Sequence, residues 1–230
     1  MQIKTSIILC TIKPFSKADI SKIYRVLKQF PYSDELGFGF KDIDINSSYL
    51  VAKLLKRTPS YLYRYDVSSN QVYKENIVHI SETEFLLDCD FGTLEIISSQ
   101  KDANKLRSVL RNILGSEYSI NNYVFKASDI VPIMEKGHGH LIITKMKISN
   151  FQYDKNVSGT FYTVLNSNRR AIELINKYKT DINKITFEVD FEDHSKSEFS
   201  LSDFGGLTLK CEENKLDSNL QFIKTSFLNS

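Results

Sequence analysis

Phe85-Leu86-Leu87-Asp88-Cys89-Asp90-Phe91-Gly92-Thr93-Leu94-Glu95-Ile96 is the stretch whose reading decides the fold. One apolar run stops at Asp-Phe-Gly and another starts at once, which predicts two antiparallel strands joined by a tight turn. In such a turn an Asp side chain bonds nearby backbone, and Gly supplies a positive φ that other residues avoid. Ser99 and Asp102 then form a capping-box pair ahead of Leu106, Val109, Leu110, Ile113 and Leu114 at helical spacing, and Gly115 closes the helix.

The same unit recurs near the C-terminus. Phe199-Ser200-Leu201-Ser202-Asp203-Phe204-Gly205-Gly206-Leu207-Thr208-Leu209 aligns with the first stretch once one residue is dropped before the Asp, and Leu216, Leu220, Ile223 and Phe227 stripe the helix predicted after it. Asp-Phe-Gly also occurs in protein kinases, but the Gly-rich loop, strand lysine and H-R-D loop of those enzymes are absent here. Turn chemistry is the reading that stands.

Working outward, Gln2 to Ile12 reads as a first strand ending at Lys13-Pro14, and Ser16 with Asp19 caps a helix carrying Ile20, Ile23, Tyr24 and Leu27. Strands are expected at Tyr49–Leu55, Tyr61–Tyr65, Val72–Ile80, Glu84–Cys89 and Thr93–Ile97, with Thr58-Pro59-Ser60 and Ser68-Ser69-Asn70 as turns. A strand is expected at Tyr123–Phe125 and a short helix at Ser128–Lys136. The rest of the second half reads as strands at His140–Ile148, Thr160–Leu165, Lys184–Asp190, Glu198–Ser202 and Leu207–Cys211, with helices at Asn168–Lys177 and Asn214–Phe227. The fold class is therefore α+β: a mainly antiparallel sheet with amphipathic helices on one face. It is organised as two pseudo-repeated halves, 1–115 and 116–230.

At 230 residues, 41% of them hydrophobic, the chain can bury a core without metals or disulfides. Cys10, Cys89 and Cys211 are odd in number and sit in apolar runs, so buried free thiols in a reducing cytoplasm are expected. No stretch reaches the roughly 18 apolar residues of a membrane helix. A net charge of +2 singles out neither nucleic acid nor an anionic membrane as the partner.

Tyr61, Tyr63 and Tyr65 alternate along one strand and are followed or preceded by Arg64, Lys53, Lys56 and Arg57. Rings that stack bases beside cations that meet phosphates make a single-strand nucleic-acid platform; the same tyrosines also suit a packed sheet face or a protein interface. Lys105, Arg107 and Arg111 line the polar side of the helix after Ser99, as a phosphate-facing stripe or a solvated one. His138 and His140 are the candidate metal pair, and Asp88, Asp90 and Glu95 the carboxylates a two-metal site would need. A second acidic run, Glu188, Asp190, Glu192 and Asp193, offers the same kind of carboxylate set, and both groups also read as charged hairpin edges that discourage strand-to-strand aggregation.

No phosphate-binding loop, dinucleotide fingerprint, nucleophile elbow or zinc-cysteine pairing occurs, and no cofactor is expected. The expectation is a non-catalytic binding or assembly protein. Its setting would be a microbial or phage-defence-related complex, and it would contact a protein partner, another copy of itself or nucleic acid. The competing expectation is a metal-dependent nuclease or phosphodiesterase.

Overall fold

The computed structural model describes residues 1–135, 140–154 and 157–228. It is α+β, with eleven antiparallel strands and five α-helices among those residues. The chain divides into two compact units: residues 12–120, and residues 1–11 together with 121–230.

The unit over 12–120 contains helix α1 (Lys17–Lys28), strands β2 (Phe38–Ile45), β3 (Tyr49–Asp66), β4 (Gln71–Asp88) and β5 (Thr93–Ile97), and helix α2 (Gln100–Leu114). The four strands form an antiparallel meander in chain order. Helix α1 starts where Asp19 accepts from the Ser16 amide at 2.8 Å and from its hydroxyl at 2.6 Å, and α2 starts where the Ser99 hydroxyl accepts from the Asp102 amide. Their apolar stripes, Ile20, Ile23 and Leu27 on one and Leu106, Val109 and Leu110 on the other, are buried with Leu50, Ala52, Leu54, Phe85 and Leu87 from the sheet.

The other unit contains β1 (Gln2–Lys13), which runs two residues past its boundary, and β6 (Ser119–Asn122), which begins before it. It continues with α3 (Ile130–Glu135), β7 (His140–Gln152), β8 (Ser158–Val164), α4 (Asn168–Lys177), β9 (Ile182–Asp190), β10 (Lys196–Ser202), β11 (Gly206–Glu212) and α5 (Leu216–Phe227). Its strands lie in the order β8-β7-β9-β10-β11-β1, every neighbouring pair antiparallel. Phe187 and Phe199 stack at 5.2 Å in its core, and α5 is tied to that face by a buried bond from Asn219 to Ser197.

Both Asp-Phe-Gly hairpins form, each followed by its helix. Gly92 and Gly205 have φ of 64° and 76°, and their carbonyls accept from β1, Gly92 from the Ile12 amide at 3.1 Å and Gly205 from the Leu9 amide at 2.8 Å. The side chain that holds the first turn differs from the expected one. Asp88, two residues before the Asp of the motif, accepts from the Asp90 amide, while Asp90 faces Lys17 at 3.6 Å. In the second turn Ser202 accepts from the Gly206 amide, and Asp203 accepts instead from the Asn183 side chain.

Four expectations need correction. Thr58-Pro59-Ser60 is no turn, because β3 runs unbroken from Tyr49 to Asp66 and Pro59 sits opposite Val78. Proline is tolerated there because β3 has only one neighbour beyond Lys56, so no second ladder needs its missing N–H. The strands expected at 72–80 and 84–89 are likewise one strand, β4. Tyr123–Phe125 follows β6 and is not itself a strand. Cys89 is only partly buried, unlike Cys10 and Cys211, although all three are free thiols.

The two turn glycines differ in what surrounds them. A Cβ on Gly205 would fall well inside van der Waals contact of the Leu9 carbonyl and 2.9 Å from that of Tyr123, whereas on Gly92 it would meet nothing closer than 3.9 Å. Gly205→Ala is expected to lower the unfolding free energy by roughly 4 kcal/mol or more, and Gly92→Ala by about 1–2 kcal/mol from the positive φ alone. Urea denaturation of the two variants checks this, and equal losses would contradict it.

Candidate functional site

Strands β3 and β4 pair in one continuous register from Tyr49↔Asp88 to Asp66↔Gln71. Strand β2 stops supporting β3 at Lys56, and β5 stops supporting β4 at Glu84. Beyond those points the ten pairs from Arg57↔Ile80 to Asp66↔Gln71 form a two-stranded ribbon, roughly 30 Å long at the usual rise per residue, with the Arg57 amide donating to the Gly37 carbonyl at its root. An isolated ribbon is marginally stable in water, so its own side chains must stiffen it.

Alternation sorts the ribbon into two faces. Leu50, Ala52 and Leu54, opposite Leu87, Phe85 and Thr83, point into the core at its base, and the same face continues through Leu62, Arg64, Tyr73 and Ile77. The other face carries Tyr61, Tyr63 and Tyr65 with Val72, Lys74, Asn76, Val78 and Ile80. The three tyrosines are 52, 65 and 58% exposed, and Val72, Val78 and Ile80 also face solvent. The tyrosine strand therefore packs against no helix.

Local contacts give the ribbon its rigidity. Tyr61 and Tyr63 meet edge to face at 5.6 Å, and the Lys74 ammonium lies 3.6 Å from the Tyr61 ring centre. Arg64 pairs with Glu75 across the strands on the opposite face. At the tip Asp66 accepts from the Ser68 and Ser69 hydroxyls at 2.6 and 2.8 Å and from the Ser68 amide at 2.9 Å, and Tyr65 donates to Asn70, which takes a φ of 53°. These bonds hold the Asp66 carboxyl down to about 2, the Ser68 hydroxyl contributing most.

The remaining candidate cations are not gathered on this platform. Lys53 is drawn into a cluster at the base with Asp42 at 3.4 Å and Glu82 at 3.5 Å, and Glu82 also takes Lys41 at 2.6 Å. The Asp42 hydrogen bond, foremost, raises the Lys53 pKa, and the Lys41 bond lowers that of Glu82. Arg57 donates to the Asp34 carbonyl, and Lys56 points to the core-side face. On α2, Lys105 is paired with Asp102 at 2.9 Å, Arg107 donates to Asn104, and Arg111 donates to the Ile120 carbonyl.

His140 opens β7, while His138 lies outside the described residues. No group of three or more His, Cys, Asp or Glu among the described residues is placed to hold a metal ion. Asp88 and Glu95 are buried on β4 and β5, Asp90 is exposed in the turn, and Asp190 pairs with Lys196 at 3.4 Å. No helix is long and apolar enough to cross a membrane among the described residues. No protein-family model matches the chain, and no curated protein matches its sequence.

The tip makes a pH prediction. A carboxyl held below its ordinary value of 3.8 contributes stability that is fully present above that pH and is lost as pH falls through about 2. The Asp66 carboxyl resonance should accordingly titrate near 2, and Asp66→Asn should speed exchange of the tip amides at neutral pH while leaving β5 unaffected. Titration near 3.8 would refute the bonded tip.

Proposed function

We propose that this chain is a non-catalytic binding and assembly protein, and that the ribbon over residues 57–80 is the arm by which it docks on a protein partner. One observation carries the reading. Ten large apolar side chains are exposed between Tyr61 and Ile80, on both faces and at the tip, in an element with no third strand to cover it. Exposed apolar surface of that density, rimmed by polar groups, is what a protein interface uses, and tyrosines on a rigid frame are favoured anchors.

Charge favours protein over nucleic acid as the partner of this arm. Arg57, Arg64 and Lys74 are offset by Asp66 and Glu75, with Arg64 spent on Glu75 and Lys74 on the Tyr61 ring. Three cations against two carboxylates leave residues 57–80 a net charge of only +1, too little to draw a polyanion. The open backbone edges of both strands add a second means of attachment, strand addition by the partner. The setting we propose is a subunit of a microbial or phage-defence-related complex in a reducing cytoplasm. Its three free thiols and its Lys-, Asn- and Ile-rich composition support that setting.

Replacing residues 58–79 with an Asn-Gly turn removes the arm and leaves the supported part of β3 and β4 intact. The melting temperature should change little, while the complex isolated from the native host should collapse to the free chain. Tyr63→Asp, which keeps the arm, should weaken the complex by about tenfold or more. Complexes of unchanged mass with either variant would sink the proposal.

A further inference from the structure

The face of the second unit turned away from its core carries a pattern that its fold does not need. Cross-strand register sets Tyr162, Lys147, Lys184 and Ser202 in one row, and Val164, Lys145, Thr186, Ser200, Thr208 and Ser6 in the next. Core residues Met146, Ile148, Ile185 and Phe187 alternate with these and point the other way. Lys147 and Lys184 stand directly opposite each other, an arrangement of like charges that costs a sheet stability. Among the described residues neither is held by an ion pair; Lys145 alone approaches a carboxylate, Glu198 at 3.7 Å.

These side chains frame a groove of about 280 Å³, with the three lysines, Tyr162 and Val164 around it and Thr186 below. Tyr162 is 70% exposed, with the Lys147 ammonium 5.5 Å from its ring centre on one side. The third row brings Glu188 and Glu198 but also Lys210 and Lys4, so five lysines face two carboxylates over these three rows.

We infer that this face binds single-stranded nucleic acid, with the phosphates on Lys145, Lys147 and Lys184 and a base stacked on Tyr162. Charge complementarity selects an anionic partner. The exposed ring among the cations selects one that also offers a flat π-face, and an unpaired strand presents unstacked bases together with successive phosphates that can meet three separate lysines. An acidic peptide would meet the lysines but leave the ring without a stacking partner. A duplex hides its bases.

The test is fluorescence anisotropy of labelled oligothymidylate and oligouridylate with the full chain, across a salt series. Binding should weaken with a log–log salt slope of about −2, as expected for three contacts to a single strand. Each of Lys145→Gln, Lys147→Gln and Lys184→Gln should flatten that slope by about 0.7. Tyr162→Ala should weaken binding roughly fivefold or more with the slope unchanged. All four side chains project to solvent, and unchanged melting curves will show that the variants fold. Tyr63→Asp should bind as the parent does, which separates this site from the arm. The inference is overturned by no binding at low salt, by full-strength binding in Tyr162→Ala, by a duplex bound as tightly as the single strand, or by polyglutamate competing as well as oligothymidylate.

Discussion

The unbroken register between β3 and β4 is the constraint on which the candidate arm depends. A slip of one residue in a strand pair turns every side chain to the opposite face. At the base, Leu50, Ala52 and Leu54 must face the core with Phe85 and Leu87, and this choice is enforced by buried apolar area. No bulge interrupts the pairing farther out, so the buried base dictates which residues the exposed end shows. Tyr61, Tyr63 and Tyr65 take the face they do because Leu54, Ala52 and Leu50, seven and more positions back along β3, are packed in a core.

Elsewhere the ladder is interrupted, and there the interruptions serve the same end. Strand β7 shifts register between Ile143 and Lys145, which keeps Met146 and Ile148 in the core and turns Lys145 and Lys147 outward. A regular strand would have placed Lys145 on the side of Ile143. The irregularity thus satisfies the core and the lysine rows together. In the arm Arg64 is paired with Glu75, whereas in the rows facing Tyr162 the like charges Lys147 and Lys184 stand directly opposite each other.

Much of this was legible in the residues. Both hairpins around Asp-Phe-Gly, the helix over Asn168–Lys177 and the stripe of α2 are local patterns, set by a turn glycine, a cap and a period, and each stands in the structure. What failed was long-range. Pro59 looks like a strand breaker unless it is known that β3 has lost its second neighbour by that point. Strand β2 is masked by Gly37 and Gly39, and Gly39 is needed because the backbone of Tyr32 occupies the space where a Cβ would sit. The tyrosine alternation was visible, but its exposure was not, since exposure depends on where β2 and β5 end. Lys147 and Lys184 become neighbours only through pairing of β7 with β9, which no short-range pattern announces. The outward lysines around Met146 were the one available signal.

The pairing of β1 with β11 carries a consequence for how the chain reaches its fold. Gln2 lies opposite Glu212 and Ile8 opposite Gly206, so β1 must wait for a strand far later in the chain before this ladder can close. The intervening residues 12–120 complete a unit of their own well before that. During synthesis residues 12–120 therefore precede the strand that completes β1, and the edge of β1 that takes β11 stays open until then. Loop closure over such a separation is slow, and a waiting apolar strand is open to wrong partners. A chaperone acting on this protein would find its substrate at the N-terminal strand.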